Sequence, residues 1–331
     1  MRATADTASN SLEDAARLLN GANRIAVLSH IDPDADAVGS IVGLTAGLRT
    51  LGKHVVPALS DTAPVYADFL PGTREIVGVL PDEPFDLYVF ADAADIDRIG
   101  SLYTEDRGRF EGVPILNIDH HRTNPLFGSV NMVDGGASST SEVIYRILTH
   151  LGAEIDGDTA TALAFGIVGD TGSFRNGATT PGSLETMAQL LRCGANVQGI
   201  AFELFDRKRF TAARLWGEIL SGIELFAQRR IVVAWLSQAM LRAYDATLDE
   251  TEGIAAYLRG IEEADVAILM KETEEGDVKV SFRSRPDIDV SVLATSLGGG
   301  GHRQAAGCTV PGPRERAQQI LLETYDRFYS R

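Results

Sequence analysis

The chain has 331 residues, 44% of them hydrophobic and 23% charged, with a formal net charge of -16. This is ordinary globular composition, with room for two domains of roughly 100–200 residues each. The acidic balance excludes gripping a long nucleic acid by surface charge, because such binding needs many Lys and Arg to neutralise phosphates.

A short anionic substrate is still compatible with that charge, provided metals and a few Arg supply local positive charge. The two cysteines, Cys193 and Cys308, lack metal-type spacing and read as free thiols of a reducing compartment. No run of about 18 apolar residues suggests a membrane span, and the polar N-terminal residues lack the apolar stretch of a signal peptide. The expected location is the cytoplasm, with no membrane partner.

Residues 1–9 read as a disordered tail. Ser11-Leu12-Glu13-Asp14 is an N-cap with acids in the first turn, opening a helix that stops at Asn20-Gly21. Residues 24–29 read as a buried strand. It runs into Ser29-His30-Ile31-Asp32-Pro33-Asp34-Ala35-Asp36, a loop with one histidine and three aspartates. A helical pattern over 36–51 follows, with Gly52 as its stop. Ligands of α/β sheets sit beyond the carboxyl ends of strands. So many carboxylates must be compensated, and a divalent metal would do so. The alternative is an Asp-rich helix N-terminus.

Residues 55–59 are a second strand, and a short helix falls near 67–70. The apolar run 87–91 ends in Asp92, which by itself reads as a helix cap. The run 115–118 repeats the design and ends in Asp119-His120-His121. Three strands thus deliver acids or imidazoles to their carboxyl ends. Helices follow over 138–151 and 158–169, the second apolar on nearly every side and ending at Asp170. A buried unpaired charge is costly. A metal removes that difficulty, as would an Arg or backbone amides.

A helix over 181–193 closes at Gly194, and 197–226 reads as helical and mixed in charge. Beyond it come a strand (231–236), a helix (252–263), a hairpin (266–270 with 278–282) and a helix (290–297). Then come Gly298-Gly299-Gly300-Gly301-His302 and a last helix over 313–328. The expected architecture is α/β. An N-terminal parallel-sheet Rossmann-like catalytic domain (1–195) is followed by a helical connector (196–228) and a smaller α/β substrate-binding domain (229–331). The active site is expected in the cleft between the domains.

His30, Asp34, Asp36, Asp92, His120 and Asp170 offer carboxylates and imidazoles without thiolates, which suits Mn²⁺, Mg²⁺ or Zn²⁺. They are too many for one ion. Two ions roughly 3.5–4 Å apart, sharing a carboxylate, would use them all, lower the pKa of a bridging water and clamp a phosphoryl oxygen. Phosphoester hydrolysis is the reaction this favours. His121 is left over, to bond a phosphate oxygen or act as a general acid; a structural histidine is the alternative. The glycine run lets backbone approach an anion. Arg283 and Arg285, alternating as in a strand, fall on one face and could complete a second phosphate or base pocket; two solvated surface arginines are the alternative.

Together these residues resemble the DHH phosphoesterase superfamily. The matching motifs are His30-x-x-x-Asp34-x-Asp36, Asp92 after a strand, Asp119-His120-His121 followed by Asn124, and Asp170. The Gly298-to-His302 run resembles the C-terminal domain of the branch that includes nanoRNases, 3′-phosphoadenosine 5′-phosphate (pAp) phosphatases and RecJ-type exonucleases. The resemblance implies two Mn²⁺ per chain, with Mg²⁺ or Co²⁺ as substitutes. His30 and Asp34 would hold one ion, Asp36, His120 and Asp170 the other, and Asp92 would bridge. His121 would contact the scissile phosphate, and Asp119 and Asp92 are the other residues expected to be catalytic. Arg283, Arg285, Gly300, Gly301 and His302 would hold the rest of the substrate.

The implied substrates are short oligoribonucleotides, pAp, pApA or cyclic di-AMP, not long duplex nucleic acid; a homodimer is expected by analogy alone. Asp32 stands where many relatives carry Asn. The rival readings are a manganese-dependent inorganic pyrophosphatase and a non-hydrolytic nucleotide sensor.

Overall fold

The computed structural model describes residues 11–251 and 253–329; the predicted N-terminal tail and Glu252, the first residue of the helix expected over 252–263, lie outside them. The described residues divide into two units after Asp206, within the stretch expected as connector.

In the first unit, α1 (Leu12–Gly21) leads to β1 (Arg24–Leu28), α2 (Ala35–Thr50) and β2 (His54–Ala58). Then come β3 (Leu87–Ala91), a short α3 (Ser101–Thr104), β4 (Ile115–Asp119) and β5 (Val130–Val133). The helices α4 (Thr140–Leu151), α5 (Gly157–Asp170), α6 (Pro181–Arg192) and α7 (Val197–Ala201) close the unit. The strands form one sheet in the order β2-β1-β3-β4-β5, every neighbouring pair parallel. Strands buried on both faces read as continuous apolar runs. Ile25 and Val27 pack on one side, with α1, α2, α4 and α5; Ala26 and Leu28 pack on the other, with Tyr88, Phe90 and Phe110. The chain leaves β1 toward β2 and then returns to β3 on β1's other flank. That reversal opens a crevice at the carboxyl ends of β1 and β3, the usual ligand position in such sheets.

Behind that crevice, α2 lies against α5. Gly39 and Gly43, four residues apart, face α5, and Gly47, one turn on, faces Leu148 of α4. A Cβ added at Gly39 would sit 2.5 Å from Ala162 O and 2.9 Å from Gly166 N, both backbone atoms. Gly39→Ala is therefore expected to destabilise the chain by about 1–3 kcal/mol, the usual cost of overpacking a tight core. A lowered urea midpoint at unchanged slope would show it. A Cβ at Gly166 would collide with the Asp36 carboxylate and the Ser141 hydroxyl, so the same close packing sets a site residue.

The second unit begins with α8 (Phe210–Ser221) and contains β6 (Glu224–Phe226), β7 (Ile231–Leu236), α9 (Gln238–Tyr244) and α10 (Ile254–Leu258). It continues through β8 (Val266–Glu272), β9 (Val278–Ser284), α11 (Val290–Ser296), β10 (Gly300–His302), β11 (Ala305–Val310) and α12 (Arg314–Tyr329). Its sheet runs β10-β11-β9-β8-β7-β6, antiparallel except for β7 with β8. Val280 and Phe282 face α11 and α12, while Ala267 and Leu269 face α8, α9 and α10.

Several elements depart from the sequence expectation. The stretch 197–226 is not continuously helical: α7 passes into a π-helical turn, Phe202–Asp206, and β6 is a strand. Helix α10 is shorter than 252–263. Strands β5 and β11 and helix α9 were not anticipated. Ala305-Ala306-Gly307-Cys308 has weak intrinsic preference for a strand, and pairing with β9 and β10 on its two sides overrides it. For the same reason Gly300 to His302 is a paired strand, where a free loop was expected. No helix among the described residues is long and apolar enough to cross a membrane.

Candidate metal centre

The site is built from five segments at the carboxyl edge of the first sheet. Ser29 donates to Ala91 O at 2.7 Å, tying the ends of β1 and β3 together. His30 follows, 4% exposed. Its Nδ1 lies 2.7 Å from Ile31 O, and its Nε2 lies 3.5 Å from Asp92 Oδ2 and 3.9 Å from Asp34 Oδ1. Asp34 is the N-cap of α2, its Oδ1 accepting from the amides of Asp36 and Ala37 at 3.0 Å each. The structure shows the cap directly, and the same carboxylate stands among donor atoms that could hold an ion.

Asp36 is fully buried. Its Oδ2 accepts from Thr140 N at 2.6 Å, and its Oδ1 accepts from Ser141 N at 3.0 Å and from the Ser40 hydroxyl at 3.3 Å. The N-terminus of α4 therefore points its free amides at this carboxylate, where its dipole favours negative charge.

Asp92 is 1% exposed and has a left-handed backbone, φ 59°. Asp tolerates that region better than most residues, and such strain concentrates at functional sites. The bond from its amide to Ile118 O, 2.9 Å, holds the turn. Its Oδ2 faces His30; its Oδ1 accepts the Thr140 hydroxyl at 2.9 Å and lies 3.7 Å from His120 Nε2. His120 Nε2 is also 3.2 Å from Asp170 Oδ2. Asp170 ends α5, followed by Gly172, Ser173 and Phe174, all left-handed.

Asp119, the last residue of β4, is fully buried. Its Oδ1 accepts from the amides of His120 and His121 and lies 2.7 Å from His121 Nδ1; its Oδ2 accepts from Asn124 Nδ2 at 2.6 Å.

Three groups of ligand atoms each fall within 4.8 Å of one another: His30, Asp34 and Asp92; Asp36, His120 and Asp170; and Asp92, Asp119, His120 and His121. Burial, then repulsion from Asp36 and other acids, pushes the Asp92 and Asp170 carboxyls well above the usual carboxylate range. Burial raises Asp36 as well, with Asp34 adding to it. Burial also opposes ionisation of Asp119, but the hydrogen bonds from His121 and Asn124 outweigh it and hold this carboxyl below its ordinary value. In turn the bond to Asp119 raises His121. A divalent cation would relieve the repulsion among Asp36, Asp92 and Asp170, and the oxygen and imidazole donors suit one.

A pH effect follows. Asp92 and Asp170 hold protons more tightly folded than unfolded, so in metal-free protein their stabilising contribution is present below the ordinary value of 3.8 and is lost as pH rises through the raised values. A metal held by these carboxylates would displace those protons. Saturating Mn²⁺ is expected to raise the Tm over an EDTA control by roughly 5–10 °C at pH 8, and by less at pH 5. Thermal unfolding scans at both pH values test this.

In the second unit, Arg283 is half-buried on β9, and its Nη1 donates to Phe282 O at 2.9 Å. Arg285 is the residue just after β9, and its amide still bonds Asp265 O at 3.0 Å. Its side chain donates to the carbonyls of Ile261 and Glu262 and lies 3.5 Å from Asp265. Gly300, Gly301 and His302 are exposed on β10, which pairs with β11. Gly301 has φ 137°, and a Cβ there would meet Ala305 O at 2.6 Å.

Thr140 escaped the sequence reading although it touches both Asp36 and Asp92. Its signal, the polar run Ser138-Ser139-Thr140-Ser141-Glu142, is the same as that of an ordinary helix cap.

Residues 24–167 match the DHH family, N-terminal domain, and residues 229–331 match the DHHA1 domain. The chain is 35% identical over 307 residues to the bifunctional oligoribonuclease and PAP phosphatase NrnA of Thermus thermophilus, covering 90% of this chain and 88% of that one. It is 27% identical over 300 residues to the protein of the same name from Bacillus subtilis, covering 89% and 91%. Among solved structures it resembles an exopolyphosphatase-related protein from Bacteroides fragilis, with a TM-score of 0.87, 23% identity and 96% of both chains covered; that likeness concerns the fold.

Proposed function

This chain belongs to the DHH family, and on that footing we propose that it is a hydrolase of phosphoester bonds that acts on short nucleotides with two Mn²⁺ ions. The substrates proposed are pAp, giving AMP, and oligoribonucleotides from dinucleotides up to roughly pentamers, the range in which few phosphates need neutralising. Linear pApA and cyclic di-AMP present the same phosphodiester and are included. The observation that carries the reading is Asp92. Its two oxygens face His30 on one side and His120 on the other, so one buried carboxylate lies between two groups of candidate ligands, which supports a bridging role.

His30 and Asp34 would hold one ion, and Asp36, His120 and Asp170 the other. When bound, such a pair supplies Lewis-acid activation of water and of the phosphoryl oxygens. The chain's own residues do the rest. Thr140 fixes the rotamer of Asp92. Asp119 holds the proton of His121 on Nδ1, or shares a charged imidazolium with it, and so orients the ring. His121, half-buried, is placed to donate to a phosphate oxygen or to the leaving oxygen. Gly300, Gly301, His302 and Arg283 are proposed to bind the nucleotide portion. Arg285, committed to Asp265 and two carbonyls, would first have to leave those contacts.

The test is AMP release by Mn²⁺-loaded protein from pAp, pApA, cyclic di-AMP and an RNA of about two dozen nucleotides, with inorganic pyrophosphate as a further substrate. Turnover of pAp and pApA well above that of the long RNA supports the proposal. Turnover of pyrophosphate alone would replace it with the pyrophosphatase reading. Binding of pApA without any AMP release would leave a sensor.

A further inference from the structure

We infer that Arg98 is a phosphate-binding residue of this site, engaging the substrate's phosphoryl group on the His30 side; the inference rests on the phosphoesterase reading above. Arg98 lies in the 3-10 turn Ile96–Ile99, shortly after Asp92. Its carbonyl accepts from the Ile31 amide at 2.7 Å, which pins the turn to the loop after β1. Its side chain is exposed, with Nη2 only 3.2 Å from His30 Nδ1. That same ring nitrogen lies 2.7 Å from Ile31 O.

One ring nitrogen cannot serve both neighbours. It accepts from Arg98 only when it lacks a proton, and donates to Ile31 O only when it carries one. A metal ligated through Nε2 of a neutral imidazole leaves the proton on Nδ1. The bond to Ile31 O is then made, and the guanidinium has no acceptor on His30. The acids nearest in sequence do not supply one. Asp95 caps the turn through the Asp97 amide, and Asp97 is paired with Arg107 at 2.8 Å. Among the described residues no carboxylate lies within ion-pair distance of Arg98, whereas Arg24, Arg49, Arg107 and Arg146 of the same unit each hold an Asp or Glu.

The loaded site would therefore present an exposed, uncompensated guanidinium beside a ligand histidine. Its planar fork matches phosphate oxygens, which it can bond in pairs.

The experiment compares wild type, Arg98→Ala and Arg98→Lys, all Mn²⁺-loaded, by calorimetric titration with inorganic phosphate. The Mn²⁺-dependent Tm shift and the kcat and KM for pAp are measured on the same samples. Arg98→Ala is expected to weaken phosphate binding by about 10- to 100-fold, the scale of a hydrogen bond to a charged group, and to raise the KM for pAp. Arg98→Lys, which keeps the charge without the fork, is expected to fall between. The Tm shift is expected to be unchanged in both.

Unchanged phosphate affinity in Arg98→Ala would overturn the inference. A reduced Tm shift would also overturn it, by showing that Arg98 supports His30 instead. Phosphate binding needs no turnover, so a wild type that hydrolyses nothing would fail the functional proposal while the Arg98 inference is judged on its own readout.

Discussion

Asp92→Ala is expected to lower kcat on pAp by about 10³-fold or more and to leave one bound Mn²⁺ in place of the two proposed for the wild type. Removing Asp92 leaves His30 and Asp34 as a pair, too few to retain an ion, while Asp36, His120 and Asp170 remain a complete set. The clamp on the phosphoryl group is then one-sided. Metal stabilisation of a developing charge amounts to several kcal/mol, and each 1.36 kcal/mol is a factor of ten.

Folding should not explain the loss. The side chain removed is a buried carboxylate repelled by Asp34, Asp36 and Asp119. Its removal relieves the metal-free protein, against roughly 1 kcal/mol for the Thr140 hydrogen bond and about 1–2 kcal/mol for placing Ala in a left-handed conformation. Asp92→Asn separates these effects. Asn keeps the left-handed preference and the bond from Thr140 but not the charge, so its Tm in EDTA should equal or exceed that of wild type while activity is still lost. Metal analysis, kcat and a thermal scan on the two variants check all three statements.

Asp119→Asn is expected to cost about 10²–10⁴ in kcat with both ions retained. Asp119 offers Oδ1 to His121 Nδ1 and to two backbone amides, and Oδ2 to Asn124 Nδ2. An amide in that place sets a donor against one of these donors whichever way it is turned. His121 then loses the anion that fixes its ring and its proton, and such orientation governs acid–base catalysis on this scale. The pH profile separates this role from a ligand role. Asp119 raises the pKa of His121, so His121 acting as an acid holds its proton to higher pH in the wild type. The variant's alkaline limb should fall at lower pH. A profile that keeps its limb and loses a metal ion would instead make Asp119 a ligand.

The residues that cluster as candidate ligands could be picked out because strand and donor are adjacent in sequence. In β1, β3 and β4 an apolar run ends and the next residues carry the donor, so a reader who finds the strand finds the site. Topology did the rest, since parallel strands put their carboxyl ends on one edge. What stayed hidden is carried by contacts between segments far apart in sequence. Thr140 lies 48 residues from Asp92, and nothing local distinguishes its hydroxyl from a capping one. Arg98 matters only through its distance from His30, on another loop. The alternation that placed Arg285 beside Arg283 did not reveal its partners, Asp265 and the carbonyls of Ile261 and Glu262, which lie on other segments. Strand β11 was missed because Ala and Gly follow no strand pattern, and its two neighbours impose one.

The central claim is that one carboxylate, Asp92, joins two metal ions. The most direct measurement is anomalous scattering at the manganese edge from crystals of Mn²⁺-loaded wild type and Asp92→Ala. Two peaks roughly 3.5–4 Å apart between His30 and Asp170 in the wild type, with the peak at His30 missing in the variant, is the predicted result. A single peak in the wild type, or two peaks that survive in Asp92→Ala, would contradict it.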